Sequence, residues 1–231
     1  MAGGKKAEIV IAENGPYLVF GGLPLRKEII GIGRDNEPEK WIAGEKFEKR
    51  DSFALCRCGA SKNKPFCDGS HQTIGFNGME TALKKRYLAQ AQRFFGPGID
   101  LTDAPKLCAV ARFCHRAGGT WKQVELSGNV KKRKLAIETA CNCPSGRLVV
   151  WHKKTGRAIE PKFKPSIGLV EDPQAKCSGP IWVKGFVPIK SSDGTYYEER
   201  NRVTLCRCGA SKNKPFCDGS HIRVKFNAGK N

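Results

Sequence analysis

The sequence predicts an α+β protein. Two β-rich repeats, each carrying a metal-binding loop, pack on each other as an intrachain pseudo-dimer, and a mostly helical insert lies between them. Three observations predict this. Leu55–His71 and Leu205–His221 are the same seventeen residues, LCRCGASKNKPFCDGSH. The flanks repeat more loosely: Gly15–Gly21 (GPYLVFG) resembles Gly179–Gly185 (GPIWVKG), and Ile74–Asn77 (IGFN) resembles Val224–Asn227 (VKFN). The segment between the copies has another texture, with apolar residues at helical spacing among many Lys and Arg. The boundaries drawn from these changes are 1–80, 81–178 and 179–231.

Within a repeat, the β-branched and aromatic runs bounded by Gly and Pro read as short strands. The order is strand, turn, strand, metal loop, strand. One such unit is too small to bury a good core, and a lone hairpin is marginal. Two units packed about a pseudo-twofold axis satisfy each other's edges, so the chain is expected to be a monomer that is a covalent version of a symmetric dimer.

In the insert, Leu83, Tyr87, Ala91 and Phe94 fall at i, i+4, i+8 and i+11. This spacing predicts a helix over 79–95, stopped by Gly96-Pro97-Gly98. Thr102 or Asp103 is placed to cap a second helix, with Pro105 in its first turn and Gly118-Gly119 at its end. A third helix is expected from Asn129 to Ala140, ended by Pro144. Arg147–Trp151 then reads as a strand, followed by a Lys-Thr-Gly turn and a stretch marked by Pro161, Pro165 and Pro173.

The formal net charge is +19. It is concentrated in residues 81–178, which carry 19 Lys+Arg against 7 Asp+Glu. Such a segment attracts an acidic partner, an anionic lipid or a nucleic acid. Its aromatics do not alternate with basic residues as a stacking platform requires, which argues against nucleic acid. No run of 18 apolar residues is present, so no membrane anchor is expected. The start, MAGGKKAEIVIAENG, lacks the apolar stretch of a secretory signal, and the expected location is cytoplasmic. Six of the 11 cysteines sit in the repeated loops, which in a reducing compartment reads as metal binding rather than disulfides.

Each loop spaces its ligands as C-x-C-x8-C-x3-H: Cys56, Cys58, Cys67 and His71, then Cys206, Cys208, Cys217 and His221. Three thiolates and one imidazole complete a first shell for one metal centre. A tetrahedral Zn(II) in each loop would make the chain a zinc-binding interaction module with two Cys3His sites. A [2Fe–2S] cluster needs four ligands shared between two irons. Spacing favours the cluster, since Cys-x-Cys suits one iron and the Cys67/His71 pair suits the other, whereas structural zinc prefers C-x2–4-C pairs.

The residues between the ligands carry a resemblance. C-x-C-x2-S-x3-P-x-C-D-G-S-H, held by Cys56, Cys58, Ser61, Pro65, Cys67, Asp68, Gly69, Ser70 and His71 and again from Cys206 to His221, resembles the CDGSH iron–sulfur domain family. The resemblance implies two [2Fe–2S] clusters, each held by three Cys and one His, beneath a β-cap made by paired units. One imidazole in place of a thiolate raises the cluster potential and couples it to protons. Protonating that imidazole loosens the cluster. Asp68 is expected to cap the following helix and accept amide hydrogen bonds, Gly69 to take positive φ, Pro65 to stiffen the turn, and the Ser61 and Ser70 hydroxyls to donate to cluster sulfurs. Lys62 and Lys64 are solvated or guide an anionic partner.

Cys108-x5-Cys114 and the later Cys143-Pro144 resemble a divergent single-cluster ferredoxin module. This implies a third iron–sulfur cluster at Cys108, Cys114 and Cys143, with Cys141 an extra candidate ligand; buried structural cysteines are the alternative. His115, His152 and Cys177 have no partners at ligand spacing. No catalytic set, P-loop or dinucleotide fingerprint is visible, so no enzyme activity is expected. The expected function is electron transfer, or storage and transfer of clusters, with a redox protein or an apo-acceptor as the partner.

Overall fold

The computed structural model describes residues 6–229; residues 1–5 and 230–231, the outer ends of the first and last segments, lie outside that range. The first segment supplies β1 (Glu8–Ile11), β2 (Tyr17–Phe20), β3 (Leu25–Ile32), β4 (Pro38–Lys46) and β5 (Ser52–Leu55), then a one-turn helix α1 (Ser70–Thr73) after the ligand loop. The middle supplies β6 (Gln92–Phe95), β7 (Ile99–Asp103), α2 (Thr120–Glu125), α3 (Val130–Cys141), β8 (Leu148–His152) and β9 (Ala158–Ile159). The chain continues with β10 (Ser166–Asp172), β11 (Cys177–Lys184), β12 (Ile189–Lys190), β13 (Arg202–Leu205) and α4 (Ser220–Arg223).

Three sheets form among the described residues, in the orders β12-β1-β2-β5, β13-β11-β10-β3-β4 and β6-β7-β8-β9. The first two exchange strands. β12, from the last segment, pairs parallel with β1 through Ile9↔Ile189. β3, from the first segment, pairs parallel with β10 through Ile167↔Leu25. The exchange is matched at the chain crossings, where Ile9 N–H donates to Pro188 O (2.9 Å) and Ile167 N–H to Pro24 O (2.8 Å). The remaining pairings run in step: β1–β2–β5 antiparallel in one sheet, β10–β11–β13 antiparallel in the other.

One core unites these two sheets. Ile9, Ile11, Tyr17, Val19 and Leu55 of the first pack with Ile167, Leu169, Ile181, Val183, Val203 and Leu205 of the second. Each such side chain contributes about 1.5–3 kcal/mol by leaving water. β1 and β2 alternate buried and half-buried residues, as one-sided strands do. β11 is buried along its whole length. The reason is visible in a third cluster, where Val170 and Trp182 are covered by Ala111 and Phe113 of the insert. Trp41 stacks between these layers, 4.8 Å from Phe113 and 4.7 Å from Trp182.

The insert is not mostly helical. Its own core sets the sheet strands Ile99, Leu101, Leu148 and Val150 against Val124 of α2 and Ala136 and Ala140 of α3. The third expected helix is present, capped by the Asn129 side chain on the Lys131 and Lys132 amides, and the expected strand is β8. The helix expected over 79–95 is absent. Residues 79–86 run as a strap over the last segment: Thr81 and Ala82 N–H donate to Lys214 O, and Lys84 pairs with Asp193. Buried Tyr87 donates to Thr102 O (3.0 Å) and lies 2.9 Å from Arg147 O. Phe94 belongs to β6, so the apparent helical spacing joined two unrelated elements. Gly96-Pro97-Gly98 is a hairpin turn between β6 and β7.

The second expected helix is absent too. Asp103 binds Arg147 through two bonds of 2.6 and 2.8 Å instead of capping. Val110, Arg112 and Ala117 then take positive φ of 53°, 64° and 50°, which no helix contains. The strands expected after each histidine are also absent; α1 and α4 with their following turns occupy those places.

Candidate metal centres

Each ligand loop begins where a central strand ends. β5 and β13 deliver Leu55 and Leu205, both fully buried, and each makes a single bridge to the far side of its loop, at Phe66 and Phe216. The loop is closed by backbone bonds repeated in both copies: Cys56 N–H to Pro65 O (2.8 Å) and Cys67 N–H to Ala54 O (2.9 Å), Cys206 N–H to Pro215 O (2.7 Å) and Cys217 N–H to Thr204 O (2.9 Å). Asp68 accepts from the Lys62 and Ser70 amides at 2.7 and 3.0 Å, as expected, but it does not cap α1, whose cap position is Gly69 with no side-chain bond. The Ser70 hydroxyl leads the bonds, with those amides, that hold the Asp68 carboxyl well below the usual carboxylate range. Gly69 and Gly219 take φ of 88° and 84° ahead of α1 and α4.

The four side chains of each loop meet in two pairs. Cys56 and Cys58 bring their Sγ atoms to 3.7 Å, and Cys67 Sγ lies 3.3 Å from His71 Nδ1. In the second loop Cys206 and Cys208 stand at 3.9 Å, and Cys217 Sγ and His221 Nδ1 at 3.4 Å. Among the described residues no three His, Cys, Asp or Glu side chains gather closely enough to hold one ion.

The serine hydroxyls do not serve the sulfurs. Ser61 donates to Phe66 O at 2.6 Å, and Ser70 to Asp68 at 2.7 Å. Backbone amides take that role, Ala60 N–H on Cys58 Sγ and Gly219 N–H on Cys217 Sγ, both at 3.4 Å. No residue-type signal in the sequence marks these donors. Lys64 turns back onto Ser61 O at 2.5 Å, leaving Lys62 as the exposed one of the two lysines.

The loops are identical in sequence and differ in surroundings. His71 is half-buried and followed by exposed residues, whereas His221 is 3 % exposed. Burial lowers the His221 pKa to about 4 and pushes the Cys217 thiol far up. A hydrogen bond from Cys208 brings Cys206 down to about 6, while burial raises Cys56. The cover over the second loop comes from the insert: Val110 and Cys108 O face Gly219, and Asn213 Nδ2 donates to Lys106 O (3.0 Å).

The two loops also touch each other. A Cβ on Gly59 would stand 2.6 Å from Cys208 O, and one on Gly209 would stand 2.3 Å from Cys58 O. The contact is reciprocal, glycine against the middle ligand of the other loop. Tyr17 adds a tie from β2 to the second loop, donating to Cys206 O at 2.9 Å.

In the insert, Cys108, Cys114 and Cys143 line one small cavity with Arg112, Phe113, Pro144 and Arg147. Burial, then the neighbouring Cys143 and Cys108, push the Cys114 thiol up to about 12. Cys141 is not in this cavity; its thiol lies 3.7 Å from Ile159 O. Cys177 is buried and raised to about 11 by that burial. His115 is exposed, and His152 is exposed beside Thr155 (3.2 Å).

Residues 14–72 and 178–222 match the family model described as iron-binding zinc finger, CDGSH type. Residues 94–153 match the one described as divergent 4Fe-4S mono-cluster. No curated protein and no solved structure matches the chain.

Proposed function

For a chain that belongs to the CDGSH iron-binding family, in a tandem form with a divergent 4Fe–4S segment between its repeats, we propose one-electron transfer through resident iron–sulfur clusters. Cys56, Cys58, Cys67 and His71 hold one [2Fe–2S] cluster, and Cys206, Cys208, Cys217 and His221 hold the second. Cys108, Cys114 and Cys143 hold a third centre. The pairing of ligands in each loop supports two irons per loop over one zinc: each pair is close, and no three converge on a point. The matched strand exchange supports reading the repeats as an intrachain pseudo-dimer, with the chain a monomer and the second repeat beginning near β10.

The observation that carries electron transfer is the reciprocal contact of Gly59 with Cys208 and Gly209 with Cys58. It sets the two ligand loops back to back, with no side chain between them. Beside the second loop, the insert's Val110 side chain and, farther off, Cys108 O face Gly219. In this reading the three ligand groups follow one another as insert, second loop, first loop.

A bound [2Fe–2S] cluster supplies a one-electron store. The chain tunes it: amide donors on Cys58 and Cys217, and one neutral imidazole per loop, favour the reduced state. Burial of the second loop keeps water away, and the half-exposed first loop faces the partner. The basic insert suits an acidic redox partner. A second reading, transfer of a whole cluster to an apo-acceptor, is favoured only at the first loop, because His71 is within reach of solvent. No catalytic residue is assigned.

Stopped-flow reduction tests this. Rapid electron exchange between the centres, with no cluster lost, supports the electron-transfer reading. Slow exchange, together with delivery of one cluster to an apo-ferredoxin, overturns it in favour of cluster transfer.

A further inference from the structure

We propose that the insert's centre is held by three thiolates and no fourth protein ligand, and so takes a three-iron cluster rather than the four-iron cluster its family description implies. This rests on reading the insert as an iron–sulfur site.

A four-iron ferredoxin cluster is held by four cysteines, one at each iron. The insert has five cysteines, but only Cys108, Cys114 and Cys143 line the common cavity; Cys177, at the start of β11, lines a separate cleft. Cys141 is the last residue of α3 and Cys143 lies just beyond its end. The Cys141 thiol points at Ile159 O. Fully buried Arg202 fixes this arrangement, donating to Ala140 O (2.6 Å), Cys141 O (3.2 Å) and Cys143 O (2.8 Å), and binding Glu160 on its other face. The clamp holds the backbone from which the Cys141 thiol faces Ile159 O rather than the cavity.

No other side chain replaces it. The cavity lining contains no carboxylate and no imidazole. The nearest acids are committed: Asp103 to Arg147, and Asp172 to Arg112 through bonds of 2.6 and 2.9 Å. Ser145 accepts from the Arg147 amide (3.2 Å) and contacts Cys143 Sγ (3.5 Å), so it supports a ligand already counted. The loop from Cys108 to Cys114 is nevertheless built for a purpose. Val110, a β-branched residue, and Arg112 are held at positive φ, a strained backbone, and this bends the loop around the cavity. Arg147 and Arg112, each paired with its carboxylate, line the cavity beside the three thiols. Three ligands of this kind complete a cuboidal cluster that lacks one corner iron.

The test is iron and sulfide analysis with electron paramagnetic resonance on the full chain, purified without air. Oxidised two-iron and four-iron clusters give no signal, whereas an oxidised three-iron cluster does, and it loses that signal on taking one electron from dithionite. The expected result is about seven irons to eight sulfides per chain and a signal in the oxidised protein. The signal should persist in Cys141→Ser and vanish in Cys143→Ser; in the unaltered chain it should disappear with dithionite and return on re-oxidation, even after incubation with ferrous iron. About eight irons with a silent oxidised state, recruitment of an eighth iron, or loss of the centre in Cys141→Ser overturns the three-thiolate site. A chain holding only about four irons and four sulfides removes the insert centre altogether, and with it the reading beneath this one.

Discussion

Replacing Gly59 or Gly209 by alanine is expected to damage both CDGSH centres at once. Gly59 has φ +79° and Gly209 has φ +76°, a region that costs an L-residue about 1–2 kcal/mol. Each new methyl group would also meet backbone: Cys208 O at 2.6 Å and C at 2.8 Å in one case, Cys58 O at 2.3 Å in the other. Neither obstacle is a flexible side-chain tip, so the loops must separate, and overpacking of this kind adds about 1–3 kcal/mol. The total is about 2–5 kcal/mol. Gly69→Ala is the control, because Gly69 has φ +88° and nothing within 4 Å of an added Cβ. It should cost only the backbone component, about 1–2 kcal/mol. The assay is urea unfolding followed by circular dichroism, with the decay of visible absorbance recorded alongside. Gly59→Ala and Gly209→Ala should each be less stable than Gly69→Ala and should each speed loss of absorbance from both loops. Equal effects from all three substitutions, or loss confined to the mutated loop, would refute the interlock.

Arg202→Met leaves Glu160 and the carbonyls of Ala140, Cys143 and Leu148 without their buried donor; thermal unfolding should show a loss of about 3–5 kcal/mol, and a change under 1 kcal/mol would contradict the clamp. At mildly acid pH the first loop should lose its cluster before the second. Burial lowers the pKa of His221 to about 4, so its imidazole remains neutral as pH falls from 6.5 towards that value, while His71 is only half-buried. His71→Cys should therefore slow acid bleaching more than His221→Cys, and the reverse order would count against the assignment. Ser61→Ala should lower stability by about 1–3 kcal/mol, through loss of its bond to Phe66 O, yet leave the midpoint potential of the first centre unchanged. A shifted potential in film voltammetry would restore the hydroxyl as a sulfur donor.

The two repeated loops were legible because their geometry is local. Seventeen residues, with Asp68 and Gly69 between the cysteines and the histidine, specify a turn that needs little help from elsewhere. The strands around Tyr17 and Ile181 were legible from β-branched runs for the same reason. The exchange of β3 and β12 between sheets was not, because it depends on which edges meet in three dimensions. The helix expected at 79–95 failed where tertiary partners prevailed over periodicity: Tyr87 is fixed by Thr102 and Arg147, while Phe94 pairs in a sheet. Cys141 and Cys143 look equivalent as letters. Only the end of α3 and the Arg202 clamp separate them, and Arg202 lies far along the chain. The difference in burial between His71 and His221 is likewise invisible in two identical loops; it comes from Val110 and Lys106 of the insert.

Pulsed electron paramagnetic resonance of the dithionite-reduced chain, grown with 15N-labelled histidine, tests the ligation of both loops most directly. The expected spectrum contains two-iron signals, each coupled to one histidine nitrogen. His71→Cys should remove the coupling from one centre and His221→Cys from the other. Two-iron signals without nitrogen coupling, or a colourless protein that holds zinc and gives no signal, would contradict [2Fe–2S] centres held by three cysteines and one histidine.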